Sequence, residues 1–255
     1  MKYIKIEQEK LKKSRIYQWC LAMVIVYLIA MFAVFLMVYD KLDIFKLIFK
    51  VLAGLNYLPL VIPGAAFSAL LFAKEIEENT MTYVVIRPVQ KKWLVLSKIC
   101  ASMIYYIKMI GISIIVTLIV GFIFCDIRQF AFDKSIIDSI LRCIIYVNHI
   151  ITICLFYCIV SAIISVLVKN TVFSCAISVI LLTISNYITI KIEILGKVIR
   201  FPITTFYSPA EYYDIEISQY LVRSFKYYGL NIIVLVVTIM ILFFALNKKG
   251  IFKTK

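Results

Sequence analysis

From Ile16 to Tyr39 the chain carries no charged side chain, and stretches nearly as apolar recur from Leu47 to Ala73, Ile99 to Cys125, Leu141 to Val168, Val172 to Ile190 and Tyr228 to Leu246. A helix needs about 20 apolar residues to cross a hydrocarbon core. Inside that core the backbone has no water to bond, so each crossing must satisfy its own amides as a helix. The expectation is therefore an all-α, polytopic membrane protein of six transmembrane helices, built as one domain over residues 1–255. With 64% of residues apolar and 16% charged, little remains for a soluble domain.

Pro59, Pro63 and Gly64 fall in the middle of the second run and are expected to kink or break its helix. Lys169, Asn170 and Thr171 alone separate the fourth run from the fifth, which predicts a tight helical hairpin. The net charge of +14 does not point to nucleic acid, because the cations gather at the ends of apolar runs. Anionic lipid and membrane topology account for them. The seven cysteines lie mostly within the runs, without a Cys-x-x-Cys pair, and read as small buried hydrophobes. The first run follows a basic stretch as in a signal peptide, but it is too long and lacks an Ala-x-Ala-like site, so it is expected to be retained.

Six crossings place both termini on one side. That side holds 16 of the 28 Lys and Arg residues, among them Lys10, Lys12, Lys13, Arg15, Lys74, Lys98 and Lys169, with only five of the 14 acids. Cations flanking a span resist translocation, so both termini are expected in the cytoplasm. Residues 191–227, with Pro202 and Pro209, then lie outside. Abundant isoleucine and lysine suit an AT-rich bacterial genome, and a bacterial cell membrane is the expected location.

No phosphate-binding loop, dinucleotide fingerprint or His-Glu-x-x-His motif occurs, and one histidine cannot build a multi-histidine metal site. No catalytic, cofactor or metal residues are assigned. No acid falls well inside a run, which speaks against a carboxylate-based cation pathway. Lys50 and Lys108 enter the runs with stems long enough to snorkel. Lys108, Asn148 and His149 are the candidates for a substrate path, although a neutral His149 bonded to a neighbouring helix is the blander reading.

Residues 74–98 are too charged for lipid. They run from an acidic stretch, Glu75, Glu77 and Glu78, through Asn79 and Thr80 to the apolar Met81, Val84 and Val85, and then to Arg87, Lys91, Lys92 and Lys98. The three-to-four spacing of that apolar strip suits a helix lying on a partner or on the membrane surface.

Glu75 to Thr80, followed by Arg87-Pro88-Val89 and Lys98, resembles the first cytoplasmic loop of type 2 ABC transporter permeases, with Asn79 where glycine is common and Gln90 near a usual serine. Glu7 to Ile16, with Glu9, Leu11, Lys12, Lys13, Ser14 and Arg15, resembles the start of the bacitracin and lantibiotic self-protection branch. The resemblance implies a permease subunit paired with an identical or related permease. Its loop would dock on a separate ABC ATP-binding subunit, which holds the ATP and Mg. Glu75, Glu77, Glu78, Asn79 and Thr80 would then form a cytoplasmic coupling helix, oriented by Arg87, Lys91 and Lys92. Residues 1–15 would form an interfacial helix on the inner leaflet, with Tyr3, Ile4 and Leu11 below, and residues 191–227 would hold re-entrant helices. The implied function is ATP-driven export or extraction of a membrane-active peptide antibiotic or lipid-like substrate. The alternative is a non-transporting sensor or scaffold in a resistance complex.

Overall fold

The computed structural model describes residues 2–38, 44–55, 58–78, 80, 91–124, 134–187, 189–194, 197–202 and 215–248. Its helices are α1 (Lys2–Lys13), α2 (Ile16–Val38), α3 (Ile44–Leu55), α4 (Leu58–Ser68), a π-turn (Ala69–Ala73), α5 (Lys74–Glu77), α6 (Lys91–Phe124), α7 (Lys134–Val168), α8 (Thr171–Tyr187) and α9 (Ile217–Lys248). Among the described residues, one antiparallel ribbon, β1 (Thr189–Ile194) with β2 (Lys197–Pro202), accompanies these helices.

Side-chain contacts fix the direction of each helix. Phe49 of α3 stacks on Tyr146, Ser68 of α4 donates to the Cys158 carbonyl at 2.9 Å, and Glu77 of α5 meets Thr171, so α3, α4 and α5 form one column parallel to α7. Tyr106 donates to the Leu60 carbonyl at 2.7 Å and Lys98 reaches Glu75, so α6 runs against that column. Tyr17 packs on Tyr105 near the start of α2 and Lys50 sits over Phe35 near its end, which makes α2 run with α6. Tyr220 lies against Arg142 and Tyr228 against His149, so α9 runs with α7. Six helical columns thus alternate in direction.

Among the described residues, Ile16–Phe35, Leu58–Glu77, Trp93–Phe124 and Ile137–Val168 are long and apolar enough to cross a membrane. Shorter apolar stretches, Thr171–Ile184 and Asn231–Leu246, lie in α8 and α9. The outer surface is apolar, with Val26, Ile29, Ile115, Ile119, Val236 and Val237 exposed. Serines such as Ser68, Ser102, Ser161 and Ser165 are buried. Small hydroxylated residues between helices and aliphatics facing outward are the arrangement that lipid, not water, selects.

Several boundaries differ from the sequence reading. The second run, expected to kink or break near its prolines, is interrupted among the described residues by the π-turn Ala69–Ala73. α3 ends at Leu55 and α4 starts at Leu58, with Pro59 in its first turn and Pro63 inside it. Residues 56–57 lie outside the described residues. The third, fourth and sixth helices begin earlier than their apolar runs, at Lys91, Lys134 and Ile217, because charged residues continue a helix beyond the hydrocarbon. At 1.5 Å per residue these three are each roughly 50 Å long, well over the thickness of the core. The region assigned to re-entrant helices instead starts with the β1–β2 ribbon and ends in the first turns of α9; residues 203–214 lie outside the described residues.

The hairpin between α7 and α8 is as tight as its sequence implies. Lys169 adopts φ 60°, the left-handed conformation that stops a helix, and its N–H still bonds the Ser165 carbonyl at 3.0 Å. Asn170 then caps α8, its Oδ1 accepting the Phe173 N–H at 3.0 Å. Arg15, at φ 57°, separates α1 from α2 in the same way.

Candidate functional site

Four elements converge at the end of the bundle where α2, α6 and α8 begin: α1, α5, the start of α6 and the α7–α8 turn. In α1, Ile4, Glu7, Gln8 and Leu11 share a face at helical spacing, and of these Glu7 and Leu11 are buried. Leu11 therefore packs on protein and does not point into lipid, contrary to the interfacial reading; Tyr3 and Ile6 are the apolar side chains α1 leaves exposed. Tyr105 of α6 donates to the Gln8 carbonyl at 3.0 Å and fastens the helix further.

Beneath α1 lies a buried ionic network. Lys98 is 0% exposed, with its Nζ 2.8 Å from Glu75 Oε1 and 3.2 Å from Glu7 Oε1. Lys10 Nζ lies 2.5 Å from Glu75 Oε1 and 3.3 Å from Glu7 Oε2. Phe72 adds its ring face 5.8 Å from the Lys98 ammonium. Two cations and two carboxylates cancel, which is how a buried cluster of charges survives. Burial alone would depress the pKa of Lys10, but its hydrogen bond to Glu75 and the charges of Glu75 and Glu7 outweigh that and raise it. Lys10 is thus firmly an ammonium at neutral pH.

The π-turn aims Glu75 into this network. A π-turn inserts one residue into the helical ladder and rotates everything after it by about 100° relative to a continuous α-helix. Glu75 and Glu77 accordingly lie in α5, directly continuous with the π-turn, and Glu75 is turned inward at 7% exposure. Glu77 is exposed but occupied. Its Oε2 accepts from the Thr171 N–H at 2.9 Å and the Thr171 hydroxyl at 2.6 Å, and its Oε1 from Asn170 Nδ2 at 3.1 Å. A carboxylate placed on the free N–H groups of a helix start is favourable both as a cap and against the helix dipole. Glu77→Gln is therefore expected to speed amide exchange in the first turn of α8 without altering exchange in α2, as read by hydrogen–deuterium exchange.

Glu78 and Lys74 form a surface pair at 3.7 Å, and Thr80 donates to the Glu75 carbonyl at 3.3 Å. Asn79 and Arg87 lie outside the described residues, as do the side chains of Lys91 and Lys92, whose backbone opens α6. The three candidates for a substrate path do not converge. Lys108 is exposed beside the Tyr105 ring, Asn148 is exposed, and His149 is fully buried edge-on to Tyr228 at 4.8 Å. Sequence reasoning missed Glu7, Lys10 and Lys98 as a unit with Glu75. The available signal was a lysine and a glutamate at the ends of two adjacent apolar runs, each of which demands a partner.

A helical, multi-pass membrane protein with a charged, cross-braced end is the class this architecture defines. Residues 3–186, from α1 through α8, match the model of a family described as ABC-2 family transporter protein. The chain belongs to this family and is a membrane permease component of an ABC transporter. Such permeases are transport components that associate with an ABC ATP-binding subunit and are typically not catalytic themselves. No curated protein and no solved structure matches the chain.

Proposed function

We propose that this permease pairs with a second permease and, driven by an ABC ATP-binding subunit holding ATP and Mg, exports or extracts a membrane-active peptide antibiotic or lipid-like compound. Both termini and the charged bundle end face the cytoplasm in this reading, and the columns cross the membrane six times. The observation that carries it is the bracing around α5. Glu75 joins that helix end to α1 and α6, while Glu77 joins it to α8, so a push at residues 74–80 is delivered to several helices together. Connected elements of this kind are a physical route by which motion of a motor domain reaches several helices. Lys108 and Asn148, exposed on α6 and α7, are the polar groups offered to a second permease or to substrate.

Lys74 and Glu78 are the charges at this end best suited to meet the ATP-binding subunit, because their mutual pair is exposed and worth little to the fold. In Lys74→Glu/Glu78→Lys, co-purification of the ATP-binding subunit is expected to fall about tenfold or more while membrane insertion is unchanged. Native co-purification would count against docking here. With the assembled pair in vesicles, transport requires that peptide substrate both raise ATP turnover and leave the membrane; turnover without movement would favour the sensor or scaffold reading.

A further inference from the structure

Beside the α1–α2 junction, on the face of α1 away from the ionic network, Glu9, Lys12, Lys13, Arg15 and Gln18 line an open cleft of about 480 Å³. All five side chains are exposed. Among the described residues, Lys12, Lys13 and Arg15 form no ion pair, whereas Lys10, on the same helix, is fully engaged. Three cations against one carboxylate leave the cleft with a charge of about +2, which favours an anion there.

Its depth identifies the anion. Arg15 immediately precedes Ile16, the first apolar residue of α2, so the cleft sits where the hydrocarbon of one leaflet gives way to its phosphates. Trp19, one turn further along α2, is 76% exposed, and Trp93 is also exposed near the start of α6 at the same end of the bundle. Tryptophans so placed mark the headgroup level. The left-handed Arg15 lies between α1 and α2, and the cleft takes Lys12 and Lys13 from one helix and Gln18 from the other. Glu9 disfavours a doubly charged phosphate monoester more than a singly charged diester.

We infer that this cleft binds the phosphodiester headgroup of an anionic glycerophospholipid, with Lys12, Lys13 and Arg15 neutralising the phosphate and Gln18 donating to the headgroup. The inference needs α2 to cross a bilayer but does not rest on the transport reading above.

Trp93→Phe leaves Trp19 as the sole tryptophan of the two in the chain. The full chain is reconstituted in phosphatidylcholine vesicles containing a minor fraction of tail-brominated phosphatidylglycerol or tail-brominated phosphatidylcholine, and Trp19 fluorescence is followed. Stronger quenching by the brominated phosphatidylglycerol is expected. The preference should fall roughly fivefold for each cation lost in Lys12→Gln, Lys13→Gln and Arg15→Gln, and survive in Arg15→Lys. Quenching by the brominated phosphatidylcholine should not change, which reports that Trp19 still lies in the bilayer; should the triple variant fail to insert, the single variants carry the test. Equal quenching by the two lipids, or a preference that persists without the three cations, overturns the inference. Displacement by soluble inorganic phosphate also overturns it, since the cleft would then be a site for free anions.

Discussion

Lys98→Met is expected to release α1 from the bundle. Methionine matches the lysine stem in length, so packing against Phe72 is kept, but Glu7 and Glu75 are left facing each other with only the half-exposed Lys10 between them. Removing one partner of a buried ionic cluster costs about 3–5 kcal/mol, because the abandoned charge has neither water nor counter-ion. Global unfolding is not the cheapest relief. α1 is a 12-residue helix held by Leu11, the Tyr105 bond and this network, and lifting it away lets Glu7 rehydrate. Faster amide exchange in residues 2–13, with little change in α7, is the expected signature. Lys98→Met/Glu75→Gln removes one charge of each sign and leaves Lys10 with Glu7, so it should restore much of the protection. Equal exchange in the single and double variants would mean that the network contributes no more than packing.

The same network shows what a sequence can and cannot disclose about this protein. Membrane class and the rough position of each column follow from the apolar runs, since a run of that length has one physical solution in lipid. The α7–α8 hairpin is legible for a local reason: Asn170 is a strong cap and only three residues part the runs. Glu75 is different. Read as a residue of a charged loop, it belongs at a partner's surface; the π-turn at Ala69–Ala73 turns it inward, and nothing in Ala-Leu-Leu-Phe-Ala announces a π-turn. Which cations meet which acids is a long-range property, linking Glu7 to Lys98 across 91 positions. The β1–β2 ribbon, by contrast, had a local signal. Thr189 to Ile194 alternates polar and apolar residues, and two residues including Gly196 separate it from Lys197 to Pro202, a short stretch with the β-branched Val198 and Ile199 and the aromatic Phe201. The hydropathy of the preceding helix masks that alternation.

Gly64→Ala is expected to be costly for a residue that changes by one methyl group. A Cβ at this position would run into the Tyr106 hydroxyl and come within 3.2 Å of Tyr157 Cβ. A long side chain could usually swing aside, but Tyr106 is fully buried and its hydroxyl is tied to the Leu60 carbonyl at 2.7 Å. Tyr157 Cβ is fixed to its own backbone. The methyl group must therefore break the Tyr106 bond or push α4 from α6 and α7. Overpacking of this kind costs about 1–3 kcal/mol, and loss of a buried hydrogen bond adds about 1 kcal/mol. Pro63 sharpens the effect, because a proline inside α4 already removes one backbone hydrogen bond there. Tyr106→Phe alone forfeits only the hydroxyl bond, yet it also removes the atom in the way of the methyl group. Gly64→Ala/Tyr106→Phe should consequently be less destabilised than the sum of the two single variants, measured as thermal midpoints in detergent. Additive losses would show that Tyr157, and not the Tyr106 hydroxyl, sets the close approach of these three helices.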